Sequence, residues 1–222
     1  MADTKKLVWD ETGSRLYETG VSQCALYVQT TGGAYGDGVA WNGITGITES
    51  PSGAEASPQY ADNIKYLNLI SAEEFGATVE AFMYPDAFGE CDGSATLVAG
   101  VSIGQQTRKQ FGLAYKTLLG NDSEGEAFGY KIHLIYGATA APSEKAYATV
   151  NDSPEAMSLS WELSTTPVSV SGFKPTACVT IDSTTSDPTN LAAFEKIIYG
   201  STTAAARLPL PDEVKTLMTT LH

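Results

Sequence analysis

Chemistry that needs an imidazole has two residues to draw on in this chain, His133 and His222. His133 sits between Ile132 and Leu134 in a strand-like run and faces away from both, which suits a satisfied or exposed sheet histidine better than a general base. His222 is the last residue. No G-x-S-x-G turn and no cysteine-nucleophile signature accompanies them. H-E-x-x-H is absent, and two histidines cannot build a multi-histidine metal site. Asn121-Asp122-Ser123-Glu124-Gly125-Glu126 has the acids of a calcium loop without the EF-hand spacing or its bidentate glutamate, and reads as a solvated hairpin turn. Neither a P-loop nor a dinucleotide-binding glycine fingerprint occurs. Glu73-Glu74 and Glu80 offer carboxylates for glycoside hydrolysis, but with 26 acids such pairs are abundant and select nothing. The sequence nominates no catalytic residue, no metal ligand and no cofactor.

The charge is more informative than any single side chain. The 222 residues carry 26 acids against 13 bases, a net charge of −13. Between Glu49 and Gly104 nine acids face one base, Lys65. Such a chain does not bind nucleic acid through phosphate contacts, since those need clustered Lys and Arg. An acidic wall that repels DNA and lets it slide past is compatible with this charge, as is plain solubility. The three cysteines, Cys24, Cys91 and Cys178, are an odd number without close spacing, so buried reduced thiols are expected. No apolar run reaches the eighteen residues of a membrane span, and Met1–Gly13 lacks a signal-peptide core. Synthesis in a cytoplasm is expected.

The elements that position these residues are mostly strands. Met157, Leu159, Trp161 and Leu163 alternate with Ser158, Ser160 and Glu162, the period of a sheet with one buried face. Tyr130–Tyr136, Phe75–Met83 and Ala177–Ile181 alternate similarly, and Ala25–Thr30, Val39–Thr48, Thr107–Leu118 and Val168–Ser171 are further expected strands. Turns at Thr31-Gly32-Gly33, Tyr35–Gly38, Gly120–Asp122 and Asn151–Pro154 separate them, which favours an antiparallel sandwich or barrel. One helix is expected from Pro188. Asp187 caps it, Leu191, Phe194, Ile197 and Ile198 form its stripe, and Gly200 stops it. A second, Pro211–Leu221, has Asp212 and Glu213 in its first turn. It lies beyond the linker RLPLP, as a C-terminal extension (206–222) expected to contact a neighbouring subunit. Residues 1–205 form the β domain. Trp9, Trp41, Trp161 and eleven tyrosines suit core packing and subunit contacts as well as a sugar-stacking platform.

Residues 49–74 resist this picture. They show no sustained alternation and read as a long loop, yet Tyr60, Ile64, Tyr66, Leu67, Leu69 and Ile70 are too apolar for a solvated one. Packing on its own domain and docking on a partner, including another copy, both account for that content.

The phrases KLVWDETGSRLYETGV (Lys6–Val21), GVAWNGITGITESPSGAE (Gly38–Glu55), ADNIKYLNLISAEEFGATVEAFMYPDAFGECDG (Ala61–Gly93) and GVSIGQQTRKQFGLAYKTLLGND (Gly100–Asp122) resemble the major tail proteins of long-tailed bacteriophages. So do Tyr130–Val168 and ARLPLPDEV (Ala206–Val214). The resemblance spans nearly the whole chain. It implies a mainly β fold of the tail-tube type: an antiparallel sandwich or barrel with one flanking α-helix, a long inter-ring loop and a C-terminal helical extension. It implies a structural subunit without catalytic residues or cofactor. Copies would form rings, typically hexameric, that stack into a hollow tube conducting double-stranded DNA from virion to host without specific binding. Tape-measure, tail-terminator and distal-tail proteins would be its partners, and no membrane is involved. On this resemblance Glu49, Tyr60, Asp62, Ile64 and Tyr66 are candidates for the ring-stacking loop, and Glu80, Asp86, Glu90 and Asp92 for an acidic lumen. The virion is the implied location, after synthesis in the host bacterial cytoplasm. Two other readings stay open: a secreted-type β-sandwich binding module (lectin or adhesin), and the tube of a contractile or phage-derived tail.

Overall fold

The computed structural model of the chain describes residues 7–150, 152 and 156–219. Its elements in chain order are β1 (Leu16–Val28), β2 (Val39–Ala40), β3 (Ile44–Glu49), β4 (Ser52–Gly53), β5 (Ala56–Ala61), β6 (Ile64–Ile70), β7 (Glu73–Glu74) and β8 (Gly76–Ala81). A 3-10 turn at Asp86–Glu90 leads to β9 (Ala95–Val98), β10 (Val101–Ile103), β11 (Phe111–Asn121), β12 (Gly125–Ala140), β13 (Leu159–Thr165) and β14 (Cys178–Asp182). Helices α1 (Pro188–Ile198) and α2 (Pro211–Thr219) complete the chain.

The fold is mainly β and antiparallel, with the main sheet running β2-β1-β11-β12-β13-β8-β3 and β14 added beside β12. Strand β12 serves two partners in succession. Lys131–Ile135 pairs with β14 and Ala138–Ala140 with β13. The switch falls at Gly137, whose φ of +58° only glycine adopts cheaply and where a Cβ would lie 2.3 Å from the Thr166 carbonyl oxygen. The bend lets the sheet curl, so that β3 comes near β1 and the short turn Trp41–Gly43 closes the gap.

Curling creates two cores, one on each side of the strands. Inside the curl lie Trp41, Phe88, Phe111 and Trp161 with the inward residues Ala77, Val79, Ala81, Leu159 and Leu163. Phe88 is fully buried, its ring 4.5 Å from Trp41, 5.1 Å from Trp161 and 5.4 Å from Phe111, in the tilted and edge-on arrangements that aromatic quadrupoles favour. On the outer side Ile132, Leu134 and Tyr136 meet Leu191, Phe194 and Ile198 of α1. Asp187 caps α1 as expected, accepting from the amides of Thr189 and Asn190, with Pro188 in the first turn. Leu208 and Val214, which the sequence assigns to an extension, are buried in this second core, and Tyr136 Oη donates to the Pro209 carbonyl at 2.9 Å. Helix α2 packs on α1 of its own chain, with Asn190 Nδ2 donating to the Met218 carbonyl at 3.0 Å.

Several expectations need correction. Val39–Thr48 is two strands broken by a turn at Asn42-Gly43, where Gly43 takes a φ of +83°, just after Trp41 enters the core with its amide still bonded to Cys24 of β1. Val168–Ser171 makes a single bridge, Val168 to Thr176. Cys24 and Cys91 are buried, but Cys178 is exposed at the start of β14. The largest correction concerns 49–74, which is an ordered β-ribbon.

Candidate assembly surface

Strands β5 and β6 pair antiparallel from Ala56↔Ile70 to Ala61↔Ile64, and β4 pairs with β7 at their base. The tip is a two-residue turn, Asp62-Asn63, with φ of +49° and +64° at its two positions. That is the backbone of the mirror-image turn whose twist matches a hairpin, and Asp and Asn tolerate it better than other non-glycine residues. A register shift between Gln59 and Tyr60 makes a bulge near the tip. The strand Ser52 to Ala61 gives the arm a reach of about 30 Å at the usual strand rise.

Every residue of β4–β7 is exposed. Tyr60, Tyr66 and Ile70 are 68–70% exposed, Ile64 63% and Leu69 57%. A two-stranded hairpin alone is marginal in water, and this one displays its apolar side chains on both faces. Of the five candidates for the stacking loop, Tyr60, Asp62, Ile64 and Tyr66 cluster at the far end of the arm. Glu49 belongs to its root.

The root is built with more care than the arm. Tyr115 Oη donates to Glu49 Oε1 at 2.6 Å, and the Tyr115 ring stacks on His133 with centroids 4.7 Å apart and planes at 5°. His133 Nδ1 lies 3.6 Å from Glu49 Oε1, and Nε2 lies 3.3 Å from Glu18 Oε1 and 3.0 Å from Thr117 Oγ1. Lys131 Nζ reaches Glu18 Oε2 at 2.6 Å. Burial pushes the Tyr115 phenol upward and its bond to Glu49 adds to this. For Glu18 burial acts upward, but hydrogen bonds from Lys131 and Thr117 outweigh it and hold the carboxyl below its ordinary value. Thr117, His133 and Glu49 have the spacing of nucleophile, base and orienter. The Thr117 hydroxyl donates to Glu18 at 2.6 Å, however, and sits in the middle of the β11–β12 ladder, where the strand amides that an oxyanion hole would need are already paired. The seam is a polar clamp joining β1, β3, β11 and β12 at the point where the arm leaves.

The four acids proposed for a lumen divide. Glu80 projects from the outer face of β8, opposite to buried Val79 and Ala81, and shares that face with Glu162 of the neighbouring strand. Asp86 and Glu90 mark the two ends of the 3-10 turn and are exposed, Glu90 in a 2.5 Å ion pair with Lys109. Asp92 points inward. Its side chain is 6% exposed and accepts from Lys145 Nζ at 2.6 Å and Trp161 Nε1 at 3.1 Å, with Arg108 Nη1 at 3.5 Å. Burial works against the Lys145 ammonium, and the bond to Asp92 more than offsets it, leaving its pKa above the ordinary lysine value. Asp92 thus braces the aromatic core, and nothing in its sequence context separates it from a surface acid. Among the described residues no cluster of His, Cys, Asp and Glu could hold a metal ion, and no helix is long and apolar enough to cross a membrane.

No family model and no curated protein matches the chain. Among solved structures it is similar to a chain of the anti-feeding prophage (AFP) baseplate, with 9% identity and a TM-score of 0.36 over 79% of this chain and 97% of that one. It is also similar to a chain of an extracellular contractile injection system, the PVC sheath–tube complex in its extended state, with 11% identity and a TM-score of 0.30 over 72% and 88%. Likenesses this distant carry no argument about what the chain does.

Proposed function

We propose that the chain is a structural subunit that self-assembles into a tail-tube-like conduit, its arm bridging copies. The observation that carries this reading is the arm: an ordered ribbon, apolar on both faces and exposed along its whole length, clamped at its root to the body. Such surface is uncommon on a monomer and marks an interaction site. The edge of β3, which pairs with β8 alone among the described residues, adds a second means of association, since unpaired strand edges recruit other chains unless a ring closes them. The sequence resemblance supplies the finer form: rings, typically of six, stacked into a hollow tube for double-stranded DNA, with tape-measure, terminator and distal-tail proteins at its ends. In that form the exposed Glu80, Asp86 and Glu90 are the candidates for a repelling bore, and Asp92 serves the core.

Negative-stain electron microscopy of the purified chain over a concentration series tests the reading. Rings or hollow tubes that grow with concentration are expected. A chain that stays monomeric at every concentration overturns it in favour of a binding module.

A further inference from the structure

The arm leaves the body at one end of the β3–β8 pair, where Glu49 lies opposite Ala77. At the other end Ile44 lies opposite Ala81, and the chain continues from Ala81 into the 3-10 turn and the β9–β10 hairpin. Ala77 and Ala81 are four residues apart along β8, about 13 Å at the usual rise of about 3.3 Å per residue. A cleft of about 540 Å³ opens at that opposite end, lined among others by Tyr84, Asp86, Glu90, Thr96 and Val101. Farther along the β9–β10 hairpin Leu97 is 63% and Val98 59% exposed.

Besides the Asp62 carboxylate in its turn, the arm tip carries one charge that complements the cleft. Lys65 is the one base between Glu49 and Gly104, it sits at the arm tip opposite Tyr60, and no ion pair engages it among the described residues. In the cleft Glu90 is neutralised by Lys109, whereas the exposed carboxylate of Asp86 has no partner among the described residues. An unpaired cation among exposed aromatic side chains at one pole thus answers an unpaired carboxylate beside exposed aliphatic ones at the other.

Building on the self-assembly reading, we propose that the arm tip of one copy docks in the cleft between the 3-10 turn and the β9–β10 hairpin of the next. Lys65 pairs with Asp86 there, which takes Asp86 out of the candidates for the bore, and Tyr60 and Tyr66 cover Leu97 and Val98. Donor and acceptor lie at opposite ends of the same strand pair, so the contact is head-to-tail, and it runs on along an axis where the rotation between copies does not close a ring. The aromatic side chains supply most of the buried area, and the charge pair fixes register.

Lys65→Glu and Asp86→Lys in the full chain, alone, mixed and combined, test the contact by sedimentation and electron microscopy. Each single variant opposes like charges at the contact, and the concentration needed for assembly rises about tenfold or more. An equimolar mixture of the two restores assembly, because each arm then meets a cleft of opposite charge, and the double variant restores it likewise. Carbodiimide treatment of the assembled wild type should also yield a Lys65–Asp86 cross-link between copies. If the wild type assembles but both single variants assemble equally well, or the mixture gives no rescue, the docking site is wrong while the self-assembly reading stands. If the wild type forms no assemblies, both fall.

Discussion

Asp92 separates a bracing acid from a surface acid by a measurable amount. Replacing it with alanine removes the acceptor of the Trp161 indole N–H, in a fully buried side chain. An unsatisfied buried donor costs about 1–3 kcal/mol. The substitution also removes the carboxylate partner of Lys145 and Arg108, whose side chains are each 24% exposed and which keep Tyr84 and the Ala140 carbonyl. Breaking a buried ion pair by removing one partner costs about 3–5 kcal/mol, and partial access to water puts this site at the lower end. The expected loss for Asp92→Ala is therefore about 3 kcal/mol, a fall in melting temperature of roughly 6–12 °C for a chain of this size. Asp92→Asn keeps an acceptor for the indole and should lose about half as much. Glu80→Ala, on the outer face of β8, should stay within about 0.5 kcal/mol of the wild type. Urea unfolding followed by tryptophan fluorescence reads all three, since Trp161 sits at the site itself. An Asp92→Ala variant as stable as Glu80→Ala would refute the bracing role and return Asp92 to the candidates for the bore.

Gly137→Ala should cost about 1–2 kcal/mol in left-handed strain alone, and more from the 2.3 Å approach to the Thr166 carbonyl, visible as a lowered urea midpoint. The Cys24 and Cys91 thiols are pushed up to about 12 by burial, so a thiol reagent at pH 8 should label Cys178 alone in the folded chain and all three cysteines in denaturant. Arg207 holds the Glu213 carboxyl below its ordinary 4.5 through their hydrogen bond, and Glu18 is held low by Lys131 and Thr117 against its burial. Depressed folded values mean that this stabilisation is present above about pH 4.5 and disappears as pH falls through the lower folded values. Melting temperatures between pH 6 and 3 should fall, and Glu213→Gln should flatten that fall.

Where one face of an element meets a core, the sequence displayed it. Strand β13 alternates because Leu159, Trp161 and Leu163 are buried while Ser160 and Glu162 are not, and α1 carried its cap, its stripe and its stop in order. The arm was illegible for the converse reason. No core of its own lies against either face, so Tyr60 and Tyr66 near the bulge and Leu67 and Leu69 beyond it leave no period-two signal. Its turn uses Asp-Asn in place of the Asn-Gly or Asp-Gly that announces a hairpin. The apolar content of 49–74, by contrast, did mark the segment as a candidate for association. The clamp at its root joins Glu18, Glu49, Tyr115 and His133 from four strands, and Asp92 meets Lys145 across 53 residues. Contacts at such separations leave no local pattern to read.

The central claim, that the arm joins copies, is open to one direct measurement. Ser50 N donates to the Gly76 carbonyl at 2.8 Å, so residues 51–74 can be replaced by Asn-Gly with the half-buried Phe75 kept, closing β3 onto β8 with a short loop. The arm buries almost nothing in its own chain, and the shortened protein should melt like the parent. Analytical ultracentrifugation with electron microscopy should then find the parent in stacked assemblies and the shortened chain limited to monomers or single rings. Stacked assemblies of both, growing at the same concentrations, would contradict the account.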